Sequence, residues 1–252
     1  TPPASSGWAQ YMVKITPPAN AVSLTIFHLL KSAGALSVDS FDLHRMGSGP
    51  ESDAFDKGYV SLNFDDGWSS HFRTAMPILN TAGIKGTFYV ITNEAKAADD
   101  QEINDPNSYL SLPKLTEIQT AGHEVTAHTR THTSLVGLSQ AQLTSEVQGS
   151  RNDLQDAGFT PVDTFAYPYG DYNATVQQAV KNAGFIGARS VVEGYNTKAD
   201  DKHALKVQNV FDATTATDIK SWIDHAVQTK TWLSIVIHQV DTLPETGQEE
   251  YS

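Results

Sequence analysis

The chain has 252 residues, 39% of them hydrophobic and 9% aromatic, which suits one large domain with a sizeable core and excludes global disorder. Seventeen Lys and Arg against 29 Asp and Glu give a net charge of −12, which argues against nucleic acid or an anionic membrane as partner and suits a neutral or cationic ligand. Cysteine is absent, so thiol catalysis, disulfides and zinc–thiolate sites are excluded, and no apolar run reaches the ~18 residues of a membrane span.

The chain opens at Thr1 with no charged n-region, so any export signal is expected to have been removed. In residues 1–45, Tyr11, Val13 and Ile15 alternate with Gln10, Met12 and Lys14, a period-two strand pattern. Pro17, Pro18 and Asn20 make a turn, and strand-like runs follow at Val22–Leu30 and Ala35–Phe41. Three such strands are weak alone; they resemble the closing strands of a carbohydrate-binding β-sandwich, with plain scaffold the preferred reading. The Gly-, Ser-, Pro- and Asp-rich stretch 46–57 is expected to be a linker, with the main domain at 58–252.

Past the linker, strands and helices alternate. Strands are expected at Tyr59–Phe64, Gly86–Ile91, Glu124–His128, Thr164–Tyr167, Ile186–Arg189 and Trp232–Ile237. Helices are expected at Ser70–Thr81, Leu112–Ala121, Gln140–Ala157, Asn173–Ala183 and Thr217–Gln228. Gly83, Gly122 and Gly158 close the first three helices, and Ser139 with Gln142 forms a capping box at the start of the third. This alternation predicts an α/β fold with a parallel sheet curled into a barrel and the site at the strand C-termini.

Four motifs fall just past predicted strand ends. In Asn63-Phe64-Asp65-Asp66-Gly67, one carboxylate can hold a metal while the other abstracts a proton, although Asp-Asp-Gly is also ordinary turn chemistry. In His128-Thr129-Arg130-Thr131-His132, histidines four apart are expected on one helical face, reaching a single Zn²⁺. Thr129 stands where a zincin peptidase needs Glu, which disfavours that class. Phe165-Ala166-Tyr167-Pro168-Tyr169-Gly170-Asp171 can aim a backbone N–H at an oxyanion, or is simply a strand end and turn. Ile235-Val236-Ile237-His238 is an apolar strand ending in a histidine that, taken singly, reads as a core residue.

In this order on successive βα units, over residues 58–240, the four motifs resemble the polysaccharide deacetylase family, the NodB-type carbohydrate esterases. The resemblance implies an irregular (β/α) barrel and removal of N- or O-linked acetyl groups from an acetylated polysaccharide or oligosaccharide. It implies a divalent metal, zinc foremost, with Co²⁺ or Ni²⁺ also compatible with the donor set. Carried over by position, Asp65 matches the general base, Asp66, His128 and His132 the metal ligands, and His238 the general acid. The Tyr169 backbone matches the carbonyl-oxygen contact and Val236 the apolar flank of the acetyl methyl. A secreted, cell-surface or periplasmic monomer is the corresponding expectation.

Two positions depart from the family pattern. The base-orienting Arg of the third motif is replaced by Ala166; Arg189, one strand later, is the candidate substitute, the alternative being a surface ion pair. The fourth motif is not recognisable around Asp200–Leu205. Trp68 is a candidate sugar platform or a rim cap, and Tyr167 is expected beside Tyr169 in the groove. His28, His44, His71, His123, His203 and His225 are read as structural or exposed, and Trp222 as packing inward. The rival functional reading is a non-catalytic carbohydrate-binding module on the same fold; a glycosidase using Asp65 and Asp66 is disfavoured because neighbours on a strand face opposite sides.

Overall fold

The computed structural model describes residues 53–105 and 107–240. The strands expected within 1–45 and most of the 46–57 linker lie outside these residues. Residues 53–57 are bonded to the barrel: Phe55 N donates to Lys230 O (2.8 Å) and Lys198 N to Asp53 O (2.7 Å).

Seven parallel strands close a barrel in chain order: β1 (Tyr59–Phe64), β2 (Thr87–Val90), β3 (Glu124–Ala127), β4 (Thr164–Ala166), β5 (Gly187–Glu193), β6 (Leu205–Asn209) and β7 (Trp232–Ile237). β7 returns to β1 in full register from Tyr59↔Trp232 to Phe64↔Ile237, leaving no open edge. The barrel is therefore as the βα alternation predicts, with one strand more. β6 escapes that pattern because Leu205-Lys206-Val207-Gln208-Asn209 carries only two apolar residues. A neighbouring side chain steadies it: Asn196 Nδ2 donates to Lys206 O (2.8 Å) while Asn196 Oδ1 accepts from Lys206 N (2.9 Å).

The helices are α1 (Met76–Ala82), α2 (Thr92–Ala97), α3 (Leu112–Thr120), α4 (Gln140–Asp156), α5 (Ala174–Asn182) and α6 (Ala216–Thr229). α1 ends at Gly83, whose left-handed φ of +68° suits a residue without Cβ. The capping box of Ser139 and Gln142 opens α4, and a second one, Thr215 with Asp218, opens α6. The helix expected from Ser70 begins instead as a π-helical turn, His71–Ala75, of the kind found where a helix serves a site. Phe64, Phe88 and Val90 from the sheet meet Leu115, Ile118, Leu143, Val147 and Leu154 from α3 and α4 in one core. Among the described residues no helix is long and apolar enough to cross a membrane.

Candidate active site at the barrel mouth

Parallel pairing lines up the strand C-termini, and backbone bonds carry that alignment into the loops. Asp65 N donates to Ile237 O (3.0 Å), His128 N to Val90 O (2.9 Å) and Tyr167 N to Arg189 O (3.1 Å). Residues far apart in the chain are thus fixed around one mouth. Of the five non-glycine residues with positive φ among the described residues, Asp66, Thr129, His132 and Tyr169 belong to these loops. Such concentration of costly backbone conformations is typical of functional sites.

Asp66, His128 and His132 converge. Asp66 Oδ1 lies 3.5 Å from each histidine Nε2, and the two Nε2 atoms are 3.1 Å apart. Ligands held about 2.0–2.1 Å from a tetrahedral ion would stand roughly 3.3 Å from one another, so the spacing fits a zinc-sized ion. The polar chemistry agrees. Asp66 Oδ1 is buried with no hydrogen-bond partner, and His128 Nδ1 is 2.8 Å from Ala166 O. That carbonyl fixes the His128 proton on Nδ1 and leaves the Nε2 lone pair facing the cluster. Burial holds His128 down at about 3 and also lowers His132, so both are neutral donors at pH 7. Burial drives Asp66 up to about 6, the mark of a carboxylate short of positive charge. The histidine pair is not on a helix, as its spacing suggested; left-handed Thr129 and His132 fold it into a loop after β3, and that loop turns both rings to one point.

Asp65 sits beside this trio, its Oδ2 4.0 Å from His128 Nε2. Strand alternation does not separate the two aspartates, because β1 ends at Phe64 and Asp66 takes a φ of +72°. The Arg189 guanidinium reaches across the barrel, donating Nη2–H to Asp65 Oδ1, and lies 4.5 Å over the Tyr89 ring. Both partners are about 2% exposed, so the surface-pair reading of Arg189 is excluded. Burial pushes the Asp65 carboxyl up, but the Arg189 charge, followed by His128 and His238, overcomes it and holds Asp65 at about 2. His238 follows β7 and is placed next to Asp65 by the Phe64↔Ile237 register.

Three side chains expected to contact a ligand are buried. Trp68 is buried, stacked on Tyr109 at 4.6 Å, and its Nε1 donates to Asp66 Oδ2 (3.2 Å), an arrangement that fits the rim-cap reading. Tyr167 is 1% exposed, stacked on Tyr172, with its hydroxyl donating to His203 O (2.9 Å). Val236 is fully buried on β7. Tyr169, by contrast, is exposed, its ring 4.7 Å from that of His132.

One contact was not read from the sequence. His71, buried between Phe64 and Phe88, places Nε2 2.5 Å from the carbonyl oxygen of His238. Burial keeps it neutral, down at about 4. Ser70 Oγ accepts from Val240 N (3.0 Å), so the turn after the aspartates grips the segment after β7 at two points. The only sequence signal was the polar pair Ser70-His71 at a helix start.

A family model described as polysaccharide deacetylase matches residues 52–188. The Bacillus subtilis (strain 168) protein YxkH is 25% identical over 146 residues, covering 58% of this chain and 49% of that one. Chitin deacetylase 1 of Cryptococcus neoformans var. grubii is 28% identical over 131 residues, 51% of this chain and 25% of that one. The matches thus span half or less of the length of these relatives. The structure of the Streptococcus pyogenes deacetylase PplD, in complex with acetate, aligns with a TM-score of 0.59 at 23% identity, covering 65% of this chain and 69% of that one, a likeness of fold.

Proposed function

Since the chain belongs to the polysaccharide deacetylase family, we propose that it is a metal-dependent hydrolase that removes acetyl groups from a polysaccharide or oligosaccharide outside the cytoplasm. The observation that carries this reading is the convergence of Asp66, His128 and His132, whose donor atoms all lie within 4.8 Å of one another, beside the Asp65–Arg189 pair. Zinc suits the two neutral imidazoles and one carboxylate, although Co²⁺ and Ni²⁺ would be accepted by the same donors. When bound, such a cation supplies Lewis acidity, polarising a carbonyl and acidifying a water.

The chain's own groups do the rest. Asp65, kept ionised by Arg189, takes the proton of the attacking water. Arg189 also fixes which carboxylate oxygen is free to do so, since Nη2 occupies Oδ1. The carbonyl oxygen is met by the backbone of Tyr169, whose left-handed conformation sets the direction of its N–H. As the tetrahedral carbon collapses, His238 gives a proton to the departing amine or alkoxide, and acetate remains.

Elemental analysis of the protein purified with zinc should find one ion per chain. Acetate release should follow from either N-acetylglucosamine oligomers or acetylated xylo-oligosaccharides, and which of the two is hydrolysed separates amide from ester cleavage. Saccharide binding with no acetate from any member of the panel would establish the non-catalytic module instead.

A further inference from the structure

The loop bearing His128 and His132 has its backbone groups taken up by two helices that supply no proposed ligand. From one side, Thr92 N and Asn93 N at the start of α2 donate to Thr129 O and Arg130 O (3.1 Å each). From the other, Glu146 on α4 reaches up: its Oε2 accepts from both Arg130 N and Thr131 N (3.0 Å each) and its Oε1 from Thr131 Oγ1 (2.9 Å). Glu146 is only 9% exposed. Two turns further along α4, Asp153 takes the Arg130 side chain in a two-pronged pair, Nε to Oδ2 (2.8 Å) and Nη2 to Oδ1 (2.9 Å), and also accepts from Thr92 Oγ1 (2.9 Å). The guanidinium lies flat across α4 where residue 149 is glycine; a Cβ there would stand 2.5 Å from Arg130 Cζ.

We infer that Glu146 and the Arg130–Asp153 pair are positioning residues that hold the His128–His132 loop in its ligating shape, so the affinity of the metal site is set from α4. Two left-handed residues, Thr129 and His132, bracket the clamped segment. Left to itself such a backbone would relax, turning the imidazoles apart. A carboxylate that takes two consecutive N–H groups and a hydroxyl removes that freedom before any cation arrives, which is how outer residues of metal sites raise affinity. The bare Gly149 surface then has a purpose: it is the bed on which Arg130 lies while gripping Asp153.

The inference rests on the metal reading above, and zinc affinity measured by chelator competition on the full chain separates the two. Glu146→Leu, which takes the acceptor from the Arg130 and Thr131 N–H groups, should weaken zinc binding by about 10–100-fold. Glu146→Gln should recover most of it, because its carbonyl can still take both N–H groups while the Thr131 hydroxyl turns to accept from the amide. Gly149→Ala favours the helix by propensity and leaves Glu146 untouched, yet should weaken zinc binding by displacing Arg130, and it carries the test if Glu146→Leu does not fold. Unchanged zinc affinity in folded Glu146→Leu, or in Gly149→Ala, would overturn the corresponding half of the clamp whatever happens to thermal stability. Failure of the wild-type chain to take up zinc would overturn both the clamp and the metal reading.

Discussion

Arg189→Met is the sharpest perturbation the structure offers. It replaces a buried guanidinium by an apolar chain of similar length and takes from Asp65, 2% exposed in the wild type, its hydrogen-bonded cationic partner. Holding Asp65 at about 2 rather than 3.8 corresponds to about 2–3 kcal/mol of favourable interaction, and breaking a buried pair from one side typically costs about 3–5 kcal/mol. Neither group is solvent-screened, so the upper range applies. The pH dependence has a definite sign. In the wild type the folded value lies below the unfolded one, so the Asp65 contribution is present above about pH 4 and is lost as pH falls towards 2. In Arg189→Met burial, the largest influence on Asp65, is left opposed only by His128 and His238, so the folded value rises above the unfolded one and that variant loses stability as pH climbs from about 4. Urea unfolding of both proteins in chelator should therefore show a gap of about 3–5 kcal/mol at pH 7 that narrows towards pH 4. A gap below about 1 kcal/mol, the size of an exposed pair, or one independent of pH, would refute the reasoning.

Asp65→Asn should abolish acetate release while zinc content stays at the wild-type level; loss of zinc would make Asp65 a ligand rather than a base. His238→Ala should lower kcat by about 10²–10⁴, read by steady-state acetate release, and an unaltered rate would return His238 to a structural role. Tyr167→Phe deletes the hydroxyl bonded to His203 O and should cost about 1 kcal/mol of unfolding free energy with KM unchanged; a raised KM would put Tyr167 back in the groove.

The legible part of this fold was the part written in local pattern. β1 and β7 begin and end where their apolar runs do, and Ser139 with Gln142 marks the start of α4 as a capping box should. The residues that converge as a possible ligand set were legible too, because imidazole and carboxylate chemistry does not depend on context. Backbone conformation was not. A four-residue histidine spacing suggests a helix face, but Thr129 and His132 are left-handed and put the pair on a loop. The burial of Trp68 and Tyr167 was not legible for a related reason: an aromatic near a site carries no sequence mark distinguishing an open ring from one that packs behind it. Here the Trp68 indole N–H is spent on Asp66 and the Tyr167 hydroxyl on His203 O. Arg189 was found by its place in the barrel order, one strand on from Ala166, and the pairing Ala166↔Arg189 puts the two in register. β6 and the His71 contact had no such aid, since each depends on partners distant in the chain.

The seam of the barrel also divides the proposed site. The proposed ligand trio is drawn from the loops after β1 and β3, Arg189 stands on β5, and His238 follows β7, the strand that closes onto β1. A chain emerging from the ribosome therefore carries every proposed ligand long before it carries a proton donor. On the proposed roles, the last rung of the seam, Asp65 N to Ile237 O, is what joins the ligand side of the site to the side that carries the proton donor. Loosening that seam would part the base from the acid and leave the ligand trio on its own side of the break.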